Sequence, residues 1–286
     1  MTDYSKLDRP EVLSHIFYPQ QDARTPLPPG AMDLLFEVEP GIRIGCRFYL
    51  CQCDAPSILY FHGNGETVSD HDTIGPRYNE VGINLLVTDY RGYGWSDGQP
   101  SVTTMFKDGE ILLQETRKWL EENGYNGALF LMGRSLGSAC AIDLAAKFPD
   151  EIKGLLIESG FADTLPLARS LGIDLNDSDL TEEECFNNSA KIALVTKPTY
   201  ILHGARDQII PAVEAEKLQS FSGAKSKEFQ VVPGADHNTI IAVAGRFYFQ
   251  AIKQFIDKIT GAATWRKRRK TCKQGEAGCQ LKADTL

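Results

Sequence analysis

The chain has 286 residues, 42% hydrophobic and 24% charged, which supplies apolar material for a sizeable core and excludes a disordered chain. Thirty Lys and Arg against 38 Asp and Glu leave a net charge of −8, which opposes a general role in gripping nucleic acid. No apolar run approaches the roughly 20 residues of a membrane span, and the first residues lack the apolar stretch of a signal peptide.

These features lead to the expectation of a cytoplasmic protein with no integral membrane segment. The seven cysteines form no C-x-x-C pair and read as reduced thiols, and Cys272 and Cys279 lack the nearby histidines a zinc site needs.

In chain order, an N-terminal extension over 1–33 precedes two strand-like runs, 34–39 and 42–49. These flank the turn pair Pro40-Gly41 and predict an antiparallel hairpin at a sheet edge. Short apolar runs at 57–61, 83–88, 128–132, 153–157, 198–202 and 227–232 predict further strands, most of them buried on both faces. Helical periodicity over 102–122, 136–148, 211–221 and 239–259 alternates with these strands. The alternation predicts an α/β fold, with a mostly parallel central sheet and helices on both faces.

The 40 positions from Glu158 to Pro198 exceed the usual connection of about 2–6 residues, so 159–197 is expected to be a small helical cap inserted in a domain spanning 34–263. The remainder, 264–286, reads as a basic, disordered tail. Its WRKRRK run at 265–270 is either ordinary solvated surface or a contact with an anionic membrane surface or RNA.

The most specific motif is Gly133-Arg134-Ser135-Leu136-Gly137, placed directly after an apolar run and directly before a helical stretch. This is G-x-S-x-G in strand–turn–helix context, where the serine sits on a sharp bend and its hydroxyl is held outward. The Leu136 N–H, at the start of the following helix, faces charge developing on a substrate oxygen.

A serine nucleophile needs a base and an orienting acid. His237 follows the 227–232 run and Asp207 follows the 198–202 run, giving the order Ser, Asp, His. His15 and His71 read as surface residues, and His62 and His203 as structural hydrogen-bonding residues at strand ends. Glu158 is an alternative acid, while Asp236 is too close in sequence to aim at its neighbour.

These residues carry a resemblance. The sequence looks like an α/β-hydrolase over roughly 34–260, with His62-Gly63-Asn64-Gly65 where that superfamily places its second oxyanion donor, here the N–H of Asn64. The run Asp89-Tyr90-Arg91-Gly92-Tyr93-Gly94-Trp95-Ser96-Asp97-Gly98 resembles the corresponding loop of the serine-aminopeptidase and monoglyceride-lipase-like branch. Asp89, Arg91 and Ser96 are expected as structural ties behind the site. Among abhydrolase-domain relatives with these motifs, some remove fatty acyl groups from proteins.

The resemblance implies a serine hydrolase acting on small-molecule acyl esters or thioesters. It would use Ser135, His237 and Asp207 with Asn64 and Leu136 as oxyanion donors, and would require neither metal nor organic cofactor. A serine peptidase, supported by the acidic cap residues Asp174, Asp177, Asp179, Glu182, Glu183 and Glu184, is a second reading. A binding protein on the same fold is a third. A dehalogenase would carry an aspartate where this chain has Ser135.

Overall fold

The computed structural model describes residues 3–22, 24–172 and 180–262. The basic tail, Cys272 and Cys279, and the cap residues Asp174, Asp177 and Asp179 lie outside the described residues. Among the described residues no helix is long and apolar enough to cross a membrane.

Eight strands form one sheet, in the order β1-β2-β4-β3-β5-β6-β7-β8. They are β1 (Ala31–Glu39), β2 (Ile42–Tyr49), β3 (Ser57–Phe61), β4 (Asn84–Thr88), β5 (Leu129–Arg134), β6 (Gly154–Glu158), β7 (Thr199–Gly204) and β8 (Lys227–Val232). The β1–β2 hairpin and the β2–β4 pair are antiparallel, and every later pairing is parallel.

The connecting helices are α1 (Pro10–Ile16), α2 (Gly75–Glu80), α3 (Val102–Glu122), α4 (Gly137–Lys147), α5 (Thr164–Ser170), α6 (Asn188–Leu194), α7 (Ala212–Phe221), α8 (Ile240–Ala244) and α9 (Arg246–Thr260).

Every residue of β3, β4, β5, β6 and β7 is buried, as parallel strands covered on both faces require. Successive side chains leave a strand on opposite faces. Accordingly, Leu59 and Phe61 of β3 join a core layer with α3, α4, α6 and α7, while Ile58 and Tyr60 join one with α2, α8 and α9. The edge strand β8 is largely exposed.

The 239–259 stretch predicted as one helix is two. Gly245 has φ +56 and ψ −129, a conformation open to glycine alone, and separates α8 from α9 although apolar spacing runs on across it.

The N-terminal residues pack onto the sheet domain. Tyr4, Leu7, Val12 and Phe17 are buried in the same core layer as α3 and α4. Asp8 Oδ1 accepts the N–H groups of Val102 (2.7 Å) and Thr103 (3.3 Å), placing a carboxylate at the positive end of α3. Lys191 Nζ on α6 donates to Tyr4 Oη at 2.8 Å.

Candidate active site

The bend after β5 is set by steric exclusion. A Cβ on Gly133 would stand 2.3 Å from the carbonyl oxygen of Gly137, and a Cβ on Gly137 would stand 2.1 Å from that of Phe61 and 2.7 Å from that of His62. Only glycines let α4 begin this close to both β5 and the end of β3. Between them Ser135 is held at φ +51, a left-handed conformation that a side-chain-bearing residue adopts at a cost of order 1–3 kcal/mol. Its N–H donates to the Glu158 carbonyl at 2.9 Å, tying the bend to β6.

The loops after β7 and β8 bring the other two groups to this hydroxyl. His237 Nε2 lies 3.0 Å from Ser135 Oγ, and Nδ1 lies 2.8 Å from Asp207 Oδ2. A carboxylate only accepts, so Nδ1 carries the proton and Nε2 is left to accept from the serine hydroxyl.

Asp207 Oδ1 accepts the N–H groups of Ile209 (3.0 Å) and Ile210 (2.8 Å), and His203 Nε2 lies 3.3 Å from Oδ2. Burial pushes this carboxyl up, but the hydrogen bonds from His203, His237 and the Ile210 N–H outweigh it and hold the group well below the usual carboxylate range.

The two alternative acids are engaged elsewhere. Asp236 Oδ1 accepts from Asn238 N–H and Thr239 Oγ1–H within its own turn, and Glu158 accepts from Tyr248 Oη.

His62 and His203 make the bonds expected at strand ends. His62 Nε2 faces Asp89 at 3.2 Å and Nδ1 faces the Gly63 carbonyl at 2.8 Å, while His203 Nε2–H donates to the Ile210 carbonyl at 2.8 Å. Asp89 also accepts from Val68 N–H, Arg91 pairs with Asp108 and Glu39, and Ser96 Oγ accepts from Gly45 N–H.

The surface placement expected for His71 is corrected, for it is 4% exposed. The 3-10 turn Val68–His71 folds back over the sheet, with His71 edge-on to Tyr60. The polar sequence around it misled because its charges are spent internally, Asp70 on Thr67 N–H and Asp72 on the buried Arg47.

The family model described as serine aminopeptidase, S33, matches residues 54–169, which include the bend but neither Asp207 nor His237. Protein bem46 of Schizosaccharomyces pombe is 30% identical over 208 residues, covering 70% of this chain and 67% of its own. The chain is an α/β-hydrolase.

Human alpha/beta hydrolase domain-containing protein 17C is also similar, 30% identical over 223 residues, with 75% of this chain and 62% of that protein covered. The hydrolase fold is shared with a Pyrococcus furiosus esterase, with a TM-score of 0.68, 19% identity, and 85% of this chain and 99% of that one covered. It is shared likewise with a soluble variant of Saccharomyces cerevisiae monoglyceride lipase, with a TM-score of 0.62, 20% identity, and 84% and 98% covered. The serine-aminopeptidase model thus matches less than half of the chain, and the two solved structures share its fold.

The hydrolase's Ser135 and His237 open on a cavity of about 790 Å³, with Asn64 and Leu136 in its wall. Asn64 is fixed through its side chain, whose Oδ1 accepts from Tyr18 N–H (2.9 Å) and Tyr93 Oη (2.7 Å). The rest of the wall is mainly apolar. It comes from the cap (Phe161, Leu167, Phe186), from the loop after Asp207 (Ile209, Ile210) and from the N-terminal segment (Leu7, Val12, Ile16). Sequence reasoning assigned that N-terminal contribution to an extension outside the domain.

It also passed over Arg134, inside the quoted motif. The Arg134 guanidinium is buried and bonds Glu66 through Nη1, while Nη2 donates to the His237 carbonyl and to Asn238 Oδ1, both at 2.8 Å; Nε lies 3.4 Å from Glu158. Burial pushes Glu66 up, and Arg134, then His71 and His62, bring it below its ordinary value. Glu158, buried more completely, is left above its own despite the same guanidinium.

Proposed function

We propose that the chain is a serine hydrolase that cleaves carboxylic esters or thioesters with an apolar acyl group, working through an acyl-enzyme on Ser135. The observation that carries the reading is the unbroken hydrogen-bond path Ser135–His237–Asp207 at the floor of a mainly apolar cavity.

His237 Nε2 takes the Ser135 proton as Oγ bonds to the carbonyl carbon. The resulting oxyanion is received by the N–H groups of Asn64 and Leu136, each contributing about 3–4 kcal/mol. Collapse breaks the bond to the alcohol or thiol, which leaves with the proton from His237. Water then repeats the sequence on the acyl-enzyme, releases the acid and restores the serine. The chemistry runs on these side chains and amides alone. A cytoplasmic setting accompanies this reading, supported by Cys46, Cys51, Cys140 and Cys185, which stand as thiols among the described residues.

The family description names an aminopeptidase, and a peptide substrate needs an anionic recess for its terminal amine. Two of the described cap acids, Glu182 and Glu184, serve other ends. Glu182 accepts from the N–H groups of Thr164 and Leu165 at the start of α5, and Glu184 pairs with Lys6 at 2.7 Å. This favours the ester reading.

A fluorophosphonate probe is expected to label the wild-type protein, with Ser135→Ala abolishing labelling and lowering turnover by about 10⁶-fold. A series of p-nitrophenyl esters of rising chain length is hydrolysed, whereas aminoacyl anilides are not. An unlabelled wild-type protein at neutral pH refutes the hydrolase reading, and anilide cleavage would move it to a peptidase.

A further inference from the structure

We propose that Arg134, acting with Glu66, is a positioning residue that holds the base loop and the oxyanion loop in register with the nucleophile. The inference rests on the serine-hydrolase reading above and assigns a role to a residue that touches no reacting atom in it.

Arg134 precedes Ser135 in the chain, so its backbone moves with the bend. Its guanidinium reaches two other loops. Nη2 is spent on the His237 carbonyl and the Asn238 side chain, both at 2.8 Å, which fixes the main chain of the base itself. Nη1 holds Glu66, whose other carboxylate oxygen accepts the Gly63 N–H at 2.8 Å, one residue before Asn64. One side chain thus joins the nucleophile, the base and the oxyanion loop through four polar contacts.

The fit is close on the oxyanion side. A Cβ on Gly63 would stand 2.6 Å from Arg134 Nη1, so the loop carries a glycine where the guanidinium lies. This contact gives the glycine in His62-Gly63-Asn64-Gly65 a reason separate from any approach of substrate.

The shape of the cation matters. Arginine presents a planar fork of five N–H donors, and here it addresses acceptors on separate elements at once; a lysine supplies charge at a single point. A role confined to neutralising the carboxylates of part-buried Glu66 and buried Glu158 would need the charge but not the fork. The two roles therefore separate on a conservative substitution.

The guanidinium also faces a second cavity, of about 460 Å³, lined by Arg134, Glu66, Glu158, His71 and Tyr248. A small cation can reach the vacated position from that side when the arginine is shortened.

The test compares wild type with Arg134→Lys, with Arg134→Gln and with the charge-balanced double variant Arg134→Gln/Glu66→Gln. It measures ester kcat and KM, circular-dichroism melting and fluorophosphonate labelling rate. The expected result is folded Arg134→Lys whose kcat and labelling rate fall by about 10²-fold, the size of a misplacement of about 1 Å, with KM for the same ester unchanged. Guanidinium ion at non-denaturing concentration is expected to raise the kcat of Arg134→Gln while leaving wild type unaffected.

Wild-type kcat in Arg134→Lys overturns the proposal, as does a loss seen only in melting temperature or a kcat loss matched by a rise in KM. Failure of the glutamine variants to fold leaves Arg134→Lys to decide on these readouts. A wild-type protein that the fluorophosphonate does not label overturns the parent reading as well, and so is distinguishable from failure of the positioning role.

Discussion

Gly137→Ala adds one carbon at the tightest point of the site. The new Cβ would lie 2.1 Å from the Phe61 carbonyl oxygen, 2.6 Å from its carbon and 2.7 Å from the His62 carbonyl oxygen. All three are backbone atoms of β3 and the loop that carries Asn64, so no rotamer change relieves the overlap. To reach the 3.4 Å of ordinary contact, the start of α4 must retreat by about 1.3 Å from the end of β3.

That movement separates the Leu136 N–H from the Asn64 N–H and draws Ser135 away from His237. A shift of this size is worth about 10²-fold in kcat, and forcing a methyl into packed backbone costs about 1–3 kcal/mol of stability. The assay is steady-state ester hydrolysis beside thermal melting, with Gly124→Ala as the control. Gly124 has φ +76 at the end of α3 with open space around it, so the control pays only left-handed backbone strain, about 1 kcal/mol, and keeps its kcat. Gly137→Ala with wild-type kcat and melting temperature refutes the steric account of the bend.

Three further outcomes are expected. Asp207→Asn puts an amide donor against His237 Nδ1, favours the wrong tautomer and lowers kcat by about 10⁴-fold with the fold retained; a loss below tenfold would remove Asp207 as the orienting acid. Because the folded-state pKa of Asp207 is depressed, its ionisation stabilises the protein above the unfolded carboxylate value of about 3.9 and that contribution is lost as pH falls towards the folded value. Denaturant midpoints should therefore show the wild-type advantage over Asp207→Asn shrinking below about pH 4, and an advantage that grows there contradicts the sign. Ile16→Ala removes apolar carbon from the cavity wall and costs long-chain esters about 1 kcal/mol, roughly fivefold in kcat/KM, with acetyl esters unaffected; equal losses on both would exclude α1 from acyl recognition.

The strands and the grouping of Ser135, His237 and Asp207 were legible from the sequence for related reasons. Runs such as SILYF and LFLMGR are buried on both faces, which favours apolar side chains at most positions. Ser135, Asp207 and His237 lie in the loops that follow β5, β7 and β8, where a parallel sheet gathers its loops.

What stayed hidden depends on contacts that no local pattern records. Helix α1 is seven residues long with Val12 buried, too short for its periodicity to announce a packed face. Arg134 and Glu66 meet 68 positions apart, and an arginine inside G-x-S-x-G carries no spacing that reveals its partners. His71 read as exposed because the pairing of Asp72 with Arg47 is formed only by the tertiary fold. The break at Gly245 was masked by apolar spacing on both sides of it.

The packing of residues 4–17 has a consequence for how this architecture diversifies. Part of the cavity wall beside Ser135 comes from a stretch that belongs to no strand or crossover of the sheet, although Asp8 and Tyr4 pin it to α3 and α6. On the proposed reading, substitutions along residues 4–17 can retune which acyl chains fit while Ser135, His237 and Asp207 keep their places.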